Sequence, residues 1–270
     1  MLRALLIFVP LSLAIHYLCS GAPPLLTFVT GAVAISVLAE WVRRATDQLA
    51  ARLGSAIGGL LTVSFGSIAE LGLALFVLLR GHAGVVQSQI AGSILATSLG
   101  GLGLAIIIGG ARRERQCFRP ERAGLLSSLL ILVVIALLLP AVFDYTGRVS
   151  GNGLRLAVTD GEVSLGVSCV LLLLYPANLA YTLITHRDVC VSDETAERAA
   201  SWSTLYALGV LIAATTAIAL ESDLISSGIE DAAKALSLSP MFLGVIVLAV
   251  VGTAGDLFAA AWFASENRMG

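Results

Sequence analysis

Residues Gly58 to Leu79 read GGLLTVSFGSIAELGLALFVLL and set one acid, Glu70, in the middle of an otherwise apolar run. A carboxylate near the centre of a membrane helix costs about 2.5–3.5 kcal/mol on insertion scales. It needs a compensating partner or a purpose. Gly66 and Ser67 precede it by one helical turn, which puts the serine hydroxyl on the carboxylate's face. A second stretch, Phe242 to Phe263, reads FLGVIVLAVVGTAGDLFAAAWF and repeats the design: Gly252, a hydroxyl at Thr253, and an acid at Asp256. Two buried acid-bearing segments of one pattern suggest a paired intramembrane cation site, with Glu70 and Asp256 as the metal-binding acids.

The remaining composition agrees with a membrane setting. Of 270 residues, 57% are hydrophobic and 13% charged, against about 25% charged in an ordinary soluble domain. Eight apolar spans are expected, at Leu2–Cys19, Pro24–Val42, Ser55–Leu79, Val85–Gly110, Gly124–Phe143, Glu162–Thr185, Trp202–Glu221 and Pro240–Ala264. Pro10 and Pro176 fall inside the first and sixth spans as tolerated kinks. Leu2–Cys19 lacks a clear small-residue cleavage site and is read as a first membrane helix, not a signal peptide. Cys19, Cys117, Cys169 and Cys190 are scattered, with no disulfide framework and no metal-ligand spacing. No phosphate-binding glycine loop is present, so no ATP hydrolysis is expected. Nothing implies covalent chemistry, an organic cofactor or a nucleic-acid partner; the expected partners are lipid, a transported cation and protons.

Arginines gather in alternate loops. With the N-terminus placed in the cytoplasm, twelve of the sixteen basic residues lie inside, including Arg43, Arg44 and Arg52 and the cluster from Arg112 to Arg122. The positive-inside rule supports that orientation, in what is expected to be a bacterial inner membrane. The Arg112–Arg122 cluster is read as a topology determinant.

In this topology the span holding Glu70 runs outward and the span holding Asp256 runs inward. Each follows an apolar helix ending at a glutamate, Glu40 or Glu221, and then an amphipathic linker, Arg43–Leu53 or Ser222–Leu238. The expected fold is therefore an all-α, polytopic, inverted-repeat membrane protein. Residues 1–22 would be an extra N-terminal helix, 23–186 a five-helix first repeat, 187–200 a cytoplasmic linker, and 201–270 the start of a second repeat. Three helices of that second repeat are expected to lie outside residues 1–270. They would be supplied by further sequence or a second subunit, and the 270 residues alone are not expected to exchange ions.

The two stretches resemble the calcium/proton antiporters of the cation/proton exchanger type, within the calcium:cation antiporter superfamily. That family carries a Gly-Asn-Ala-[Thr/Val]-Glu motif after a GGLLNATF run; here the stretch is GGLLTVSFGSIAE, Gly58 to Glu70. The next family element, like VVQASLLGSILSN, stands as VVQSQIAGSILAT from Val85 to Thr97. The second motif, Gly-Asn-Ala-Ala-Glu-His, stands as GTAGDL from Gly252 to Leu257, after the matching SPMFLGVIVLAVVG. The resemblance runs from about Pro23 onward. It implies that Glu70 and Asp256 bind the cation, Ca²⁺, and exchange protons, and that Gly66 and Gly252 permit close helix crossing. Thr62, Ser67, Thr97 and Thr253 replace asparagines of the family pattern, Arg44 replaces a linker glutamate, and Leu257 a histidine. Hydroxyl oxygens still serve a hard cation. The substitutions keep open a related Na⁺ or K⁺ antiporter, and a non-transporting relative or subunit is the reading of a different class.

Some roles stay open at this level. Ser67 and Thr253 either ligate the cation or bond their own preceding carbonyls. Ser93 and Thr97 share a helix face and either line the site or pack against a neighbour. Gly92, Gly100, Gly101 and Gly103 are read as packing residues. The acids between Asp188 and Glu197 are read as a solvated linker, and His16, His82 and His186 receive no role.

Overall fold

The computed structural model describes residues 6–18, 23–53, 61, 64–111, 120–149, 153–180 and 201–265. Its regular elements are helices: α1 (Phe8–Leu18), α2 (Pro24–Leu53), α3 (Ile68–Leu79), α4 (Ala83–Gly110), α5 (Pro120–Val149), α6 (Gly153–Ala180), α7 (Thr204–Ser227), α8 (Ile229–Ala235), α9 (Pro240–Gly252) and α10 (Ala254–Ser265). No strand occurs among the described residues. Residues 1–116 and 193–269 form one compact unit, and 117–192 form another, in which α5 and α6 pack on each other.

The first unit holds every residue of interest. Its core is aliphatic, centred on Ile35, Val42, Leu73, Val77, Ile218, Ile225, Leu243 and Leu248. Outward faces are aliphatic too: Leu71, Leu75, Leu79, Leu99, Leu102 and Ile106 are exposed. A helix apolar on both faces suits lipid on one side and protein on the other. Among the described residues, α2 (from Leu25), α4 and α7 are long and apolar enough to cross a membrane, and α8 with α9, bent by 105°, makes a fourth if taken as one span. On the length and hydropathy of the described residues alone three or four spans qualify, and several of the eight expected spans extend into residues outside the described ones. The expected third and eighth spans contain helix breaks that divide them into shorter pieces.

The first difference from the sequence reading is α2. The expected linker Arg43–Leu53 does not leave the helix; Pro24 to Leu53 is one element. Its charged stretch is held by pairs at helical spacing, Arg43 with Glu40 and Asp47 and Arg44 with Glu40, at 2.7–2.8 Å. Such pairs support a helix where apolar periodicity fades. The other expected linker, from Ser222, continues α7 to Ser227, breaks at Gly228 and re-forms as α8.

Helix directions follow from the contacts. α7 lies along α2 in the opposite sense. Glu221 and Ile225 near its end meet Gly31 near the start of α2, while Gln48 near the end of α2 accepts hydrogen bonds from the Ser201 and Trp202 amides before α7 begins. Trp41 stacks on Trp202 at the same end, with ring centroids 6.0 Å apart. α1 packs on α2 and sends the Ser12 hydroxyl to the carboxylate of the fully buried Glu221.

α3 and α4 form a helical hairpin turned at Arg80–His82, where Gly81 takes φ +86°, a conformation suited to glycine. α9 runs parallel to α4: Gly84 meets Met241, Gly244 meets Val85 and Ser88, and Gly92 meets Val245 and Ala249. Hence α3 and α9 are antiparallel and touch, as inverted units require. An ion pair closes the hairpin end, Arg80 to Asp223 at 2.6 Å, and His82 lies 3.8 Å from Glu230 beside it. Two π turns interrupt the bundle, Ala96–Gly101 in α4 and Leu243–Leu248 in α9.

The α4–α9 crossing is glycine-mediated on both sides. A Cβ built on Gly92 would fall 2.1 Å from the Val245 carbonyl oxygen, and one on Gly244 would fall 2.7 Å from that of Val85. Backbone cannot yield as a side chain does. Gly92→Ala is expected to lower thermal stability in detergent by the equivalent of about 1–3 kcal/mol. Gly103→Ala, whose Cβ would meet no described atom within 4 Å, should leave it unchanged or slightly raised. Equal melting temperatures for the two variants would contradict this account of the crossing.

Candidate cation site

Both acid motifs sit at the same local structure. The chain breaks its helix at Ser67, with φ −95° and ψ 14°, and at Thr253, with φ −92° and ψ 6°. Both lie in the sparsely populated bridge region. The Ser67 and Thr253 carbonyls then accept the first bonds of α3 and α10, from Leu71 at 2.9 Å and Leu257 at 3.0 Å. Glu70 and Asp256 are each the third residue of the new helix, in its first turn. Unpaired amides and the helix dipole favour negative charge there, which offsets part of the cost of a carboxylate at membrane depth.

The two motifs meet. A Cβ on Gly252 would lie 3.2 Å from the Glu70 Cα and 3.3 Å from its Cβ, so the backbone before Thr253 rests on the glutamate itself. Asp256 lies one turn further on and is within electrostatic reach of Glu70. It opens onto a cavity of 450 Å³ bordered by Thr97, Gly101, Ala105 and Ala260. Gly252 thus makes the close approach expected of it. Gly66 does not: no described atom lies within 4 Å of a Cβ there. The contact at the first motif falls on Glu70, one turn later.

The hydroxyls divide. Thr253 is buried and donates to the Ala249 carbonyl at 2.8 Å, and Thr97 donates to the Ser93 backbone carbonyl at 2.8 Å. Each spends its hydrogen on its own helix and keeps oxygen lone pairs for a cation. Ser67 is exposed and makes no cap hydrogen bond with its side chain. Ser93 is buried, and its Oγ has no partner among the described residues. Thr62 lies outside the described residues.

One residue was passed over by the sequence reading. Gln89 is fully buried on α4, and its Nε2 donates to the Glu70 carbonyl at 3.3 Å. Its Oε1 is buried with no partner among the described residues. Buried polar atoms are nearly always satisfied, so an orphan acceptor beside a carboxylate is a ligand candidate. Gln89 and Ser93 stand one turn apart on α4, and each carries a buried oxygen with no partner among the described residues, that of Gln89 on a side chain held to the Glu70 backbone. No group of three or more His, Cys, Asp or Glu side chains converges among the described residues. A cation held here would be held by two carboxylates and neutral oxygens, a donor set that suits Ca²⁺.

Residues 23–184 and 206–270 match the sodium/calcium exchanger protein family. The chain is 34% identical to a Ca²⁺/H⁺ antiporter of Aphanothece halophytica, over 98% of this chain and 73% of that protein. It is 35% identical to the Ca²⁺/H⁺ antiporter ChaA of Bacillus subtilis, over 92% of this chain and 70% of the relative. The solved structure of native YfkE superimposes on all of it with a TM-score of 0.80 and 30% identity, covering 74% of that structure. The H⁺/Ca²⁺ exchanger CAX, 14% identical with a TM-score of 0.66 over 100% of this chain and 67% of that one, shares its fold. With acid motifs, helix directions and sequence in agreement, the chain belongs to the sodium/calcium exchanger protein family.

Proposed function

We propose that this protein exchanges Ca²⁺ for protons across a membrane by alternating access at Glu70 and Asp256, with Gln89, Ser93, Thr97 and Thr253 as neutral ligands and Ser67 beside them. One observation carries the reading: Gly252 seats the Asp256 motif on the backbone of Glu70. The names of the relatives, Ca²⁺/H⁺ antiporters of 34% and 35% identity, support calcium as the cation. Charge explains the coupling. Two ionised carboxylates in a low-dielectric site repel each other and lose hydration. One Ca²⁺ or two protons neutralise them equally, and the empty dianionic site is the species penalised from crossing. Calcium and protons therefore compete for one pair of acids, and each drives the other. The N-terminus is placed in the cytoplasm by the arginine distribution, in a bacterial inner membrane, with residues 23–186 and 201–270 as the opposed repeats.

The test is Ca²⁺-induced collapse of an imposed pH gradient in vesicles carrying the full-length protein. Glu70→Gln and Asp256→Asn keep side-chain shape and remove charge. Each is expected to lower the exchange rate by at least ~100-fold with near-normal expression, while Asp256→Glu retains activity. Uptake unchanged in both charge-removing variants would put the transport site elsewhere, and a gradient collapsed by Na⁺ or K⁺ but not Ca²⁺ would overturn the choice of cation. Gln89→Leu preserves bulk and deletes the amide. It is expected to raise the KM for Ca²⁺ about tenfold, the worth of one charge-assisted oxygen contact, and an unchanged KM would remove Gln89 from the ligand set.

A further inference from the structure

We infer that Arg43 is a fixed counter-charge for Asp256 that weakens cation binding at the site and so sets its affinity. The inference rests on Glu70 and Asp256 being the transport acids. It begins with the packing of α10 on α2. A Cβ on Gly255, the residue before Asp256, would lie 3.6 Å from the Ala39 backbone. Arg43 is one turn beyond Ala39 on the same face of α2. Phe258 and Trp262, which follow Asp256 on α10, border a cavity of 520 Å³ together with Glu40, Arg43 and Asp47. Arg43 and Asp256 are within electrostatic reach of each other, and Glu70 is the other charge acting on Asp256.

The guanidinium cannot simply swing away. Its Nε and Nη2 donate to the two oxygens of Glu40 at 2.8 Å, and Nη1 donates to Asp47 at 2.7 Å. Glu40 is buried and also takes a bond from Arg44 at 2.8 Å. A three-point hold of this kind fixes a planar cation in place. The four side chains sum to zero charge, so the cluster is neutral as a whole, and Arg43 is the member within electrostatic reach of Asp256. A dication approaching Asp256 is repelled by that charge. Binding is thereby loosened, which favours release of the cation once the site has turned. Such loosening offsets part of the attraction of the two acids for a dication. For an exchanger it limits how tightly the cargo is held.

Calcium binding to the purified full-length protein, measured by titration calorimetry, together with KM and kcat in vesicles, tests this. Arg43→Gln is expected to tighten the Kd for Ca²⁺ by about three- to tenfold and to lower KM more than it changes kcat. Arg43→Lys should stay within about twofold of the parent, since it keeps the charge. Glu40→Gln combined with Arg43→Gln removes one charge of each sign and should bind as tightly as Arg43→Gln alone. Combined with Asp256→Asn, Arg43→Gln should have no further effect. Unchanged or weaker binding in Arg43→Gln, or a return to parental affinity in the Glu40 double variant, would overturn the inference and leave the exchange reading standing. Absence of Ca²⁺ binding and exchange in the parent protein would overturn that reading, and the inference with it.

Discussion

A missing side chain at position 252 is what lets one helix lie against the backbone of Glu70. A methyl group there would sit 3.2 Å from the Glu70 Cα and push the two helix breaks apart. The same economy recurs at Gly92 and Gly244, where α4 and α9 touch backbone to backbone. In a membrane the helices gain little from expelling water, so close van der Waals contact and satisfied polar groups must hold them together. The contacts that give the bundle cohesion are therefore the ones that assemble the acids.

That constraint also orders the polar residues. Outward surfaces of the first unit carry Leu71, Leu75, Leu99 and Ile106, and the buried polar side chains Gln89, Ser93 and Thr253 lie on α4 and at the end of α9. Glu221, buried away from this layer, takes the Ser12 hydroxyl from α1. It belongs to the packing of α1, α2 and α7, not to the acid pair.

Much of this was written in the sequence. Glu70 and Asp256 stand out because a carboxylate in an apolar run is expensive, and their common offset from Ser67 and Thr253 announced the duplicated motif. The antiparallel relation of α3 and α9 followed from the alternation of arginine-rich loops. Other features were hidden for physical reasons. The pairs among Glu40, Arg43, Arg44 and Asp47 keep α2 helical where falling hydropathy marks a linker. Gln87 and Gln89 look alike in the chain, yet the first is exposed and the second fully buried, because only the hairpin contact with Glu70 decides which face turns inward. The failure of Gly66 to meet a described neighbour has the same origin: spacing names a helix face but not the residue at which two helices touch. The eight spans were counted on apolar length, and breaks at Ser67 and Thr253 divide two of them without any proline to mark the place.

The π turn at Ala96–Gly101 divides the polar face of α4. Gln89 and Ser93 stand before it and Thr97 lies within it. A π turn carries one residue more than the α-helical ladder calls for, so its wider ring of hydrogen bonds can be handed along the helix one residue at a time. Each such step changes the facing of the residue the bulge passes, while the helical segments on either side stay in place. The π turn thus separates the part of α4 that contacts Glu70 from the part that borders the cavity at Asp256, and the residue facing between the two is set by where the bulge sits.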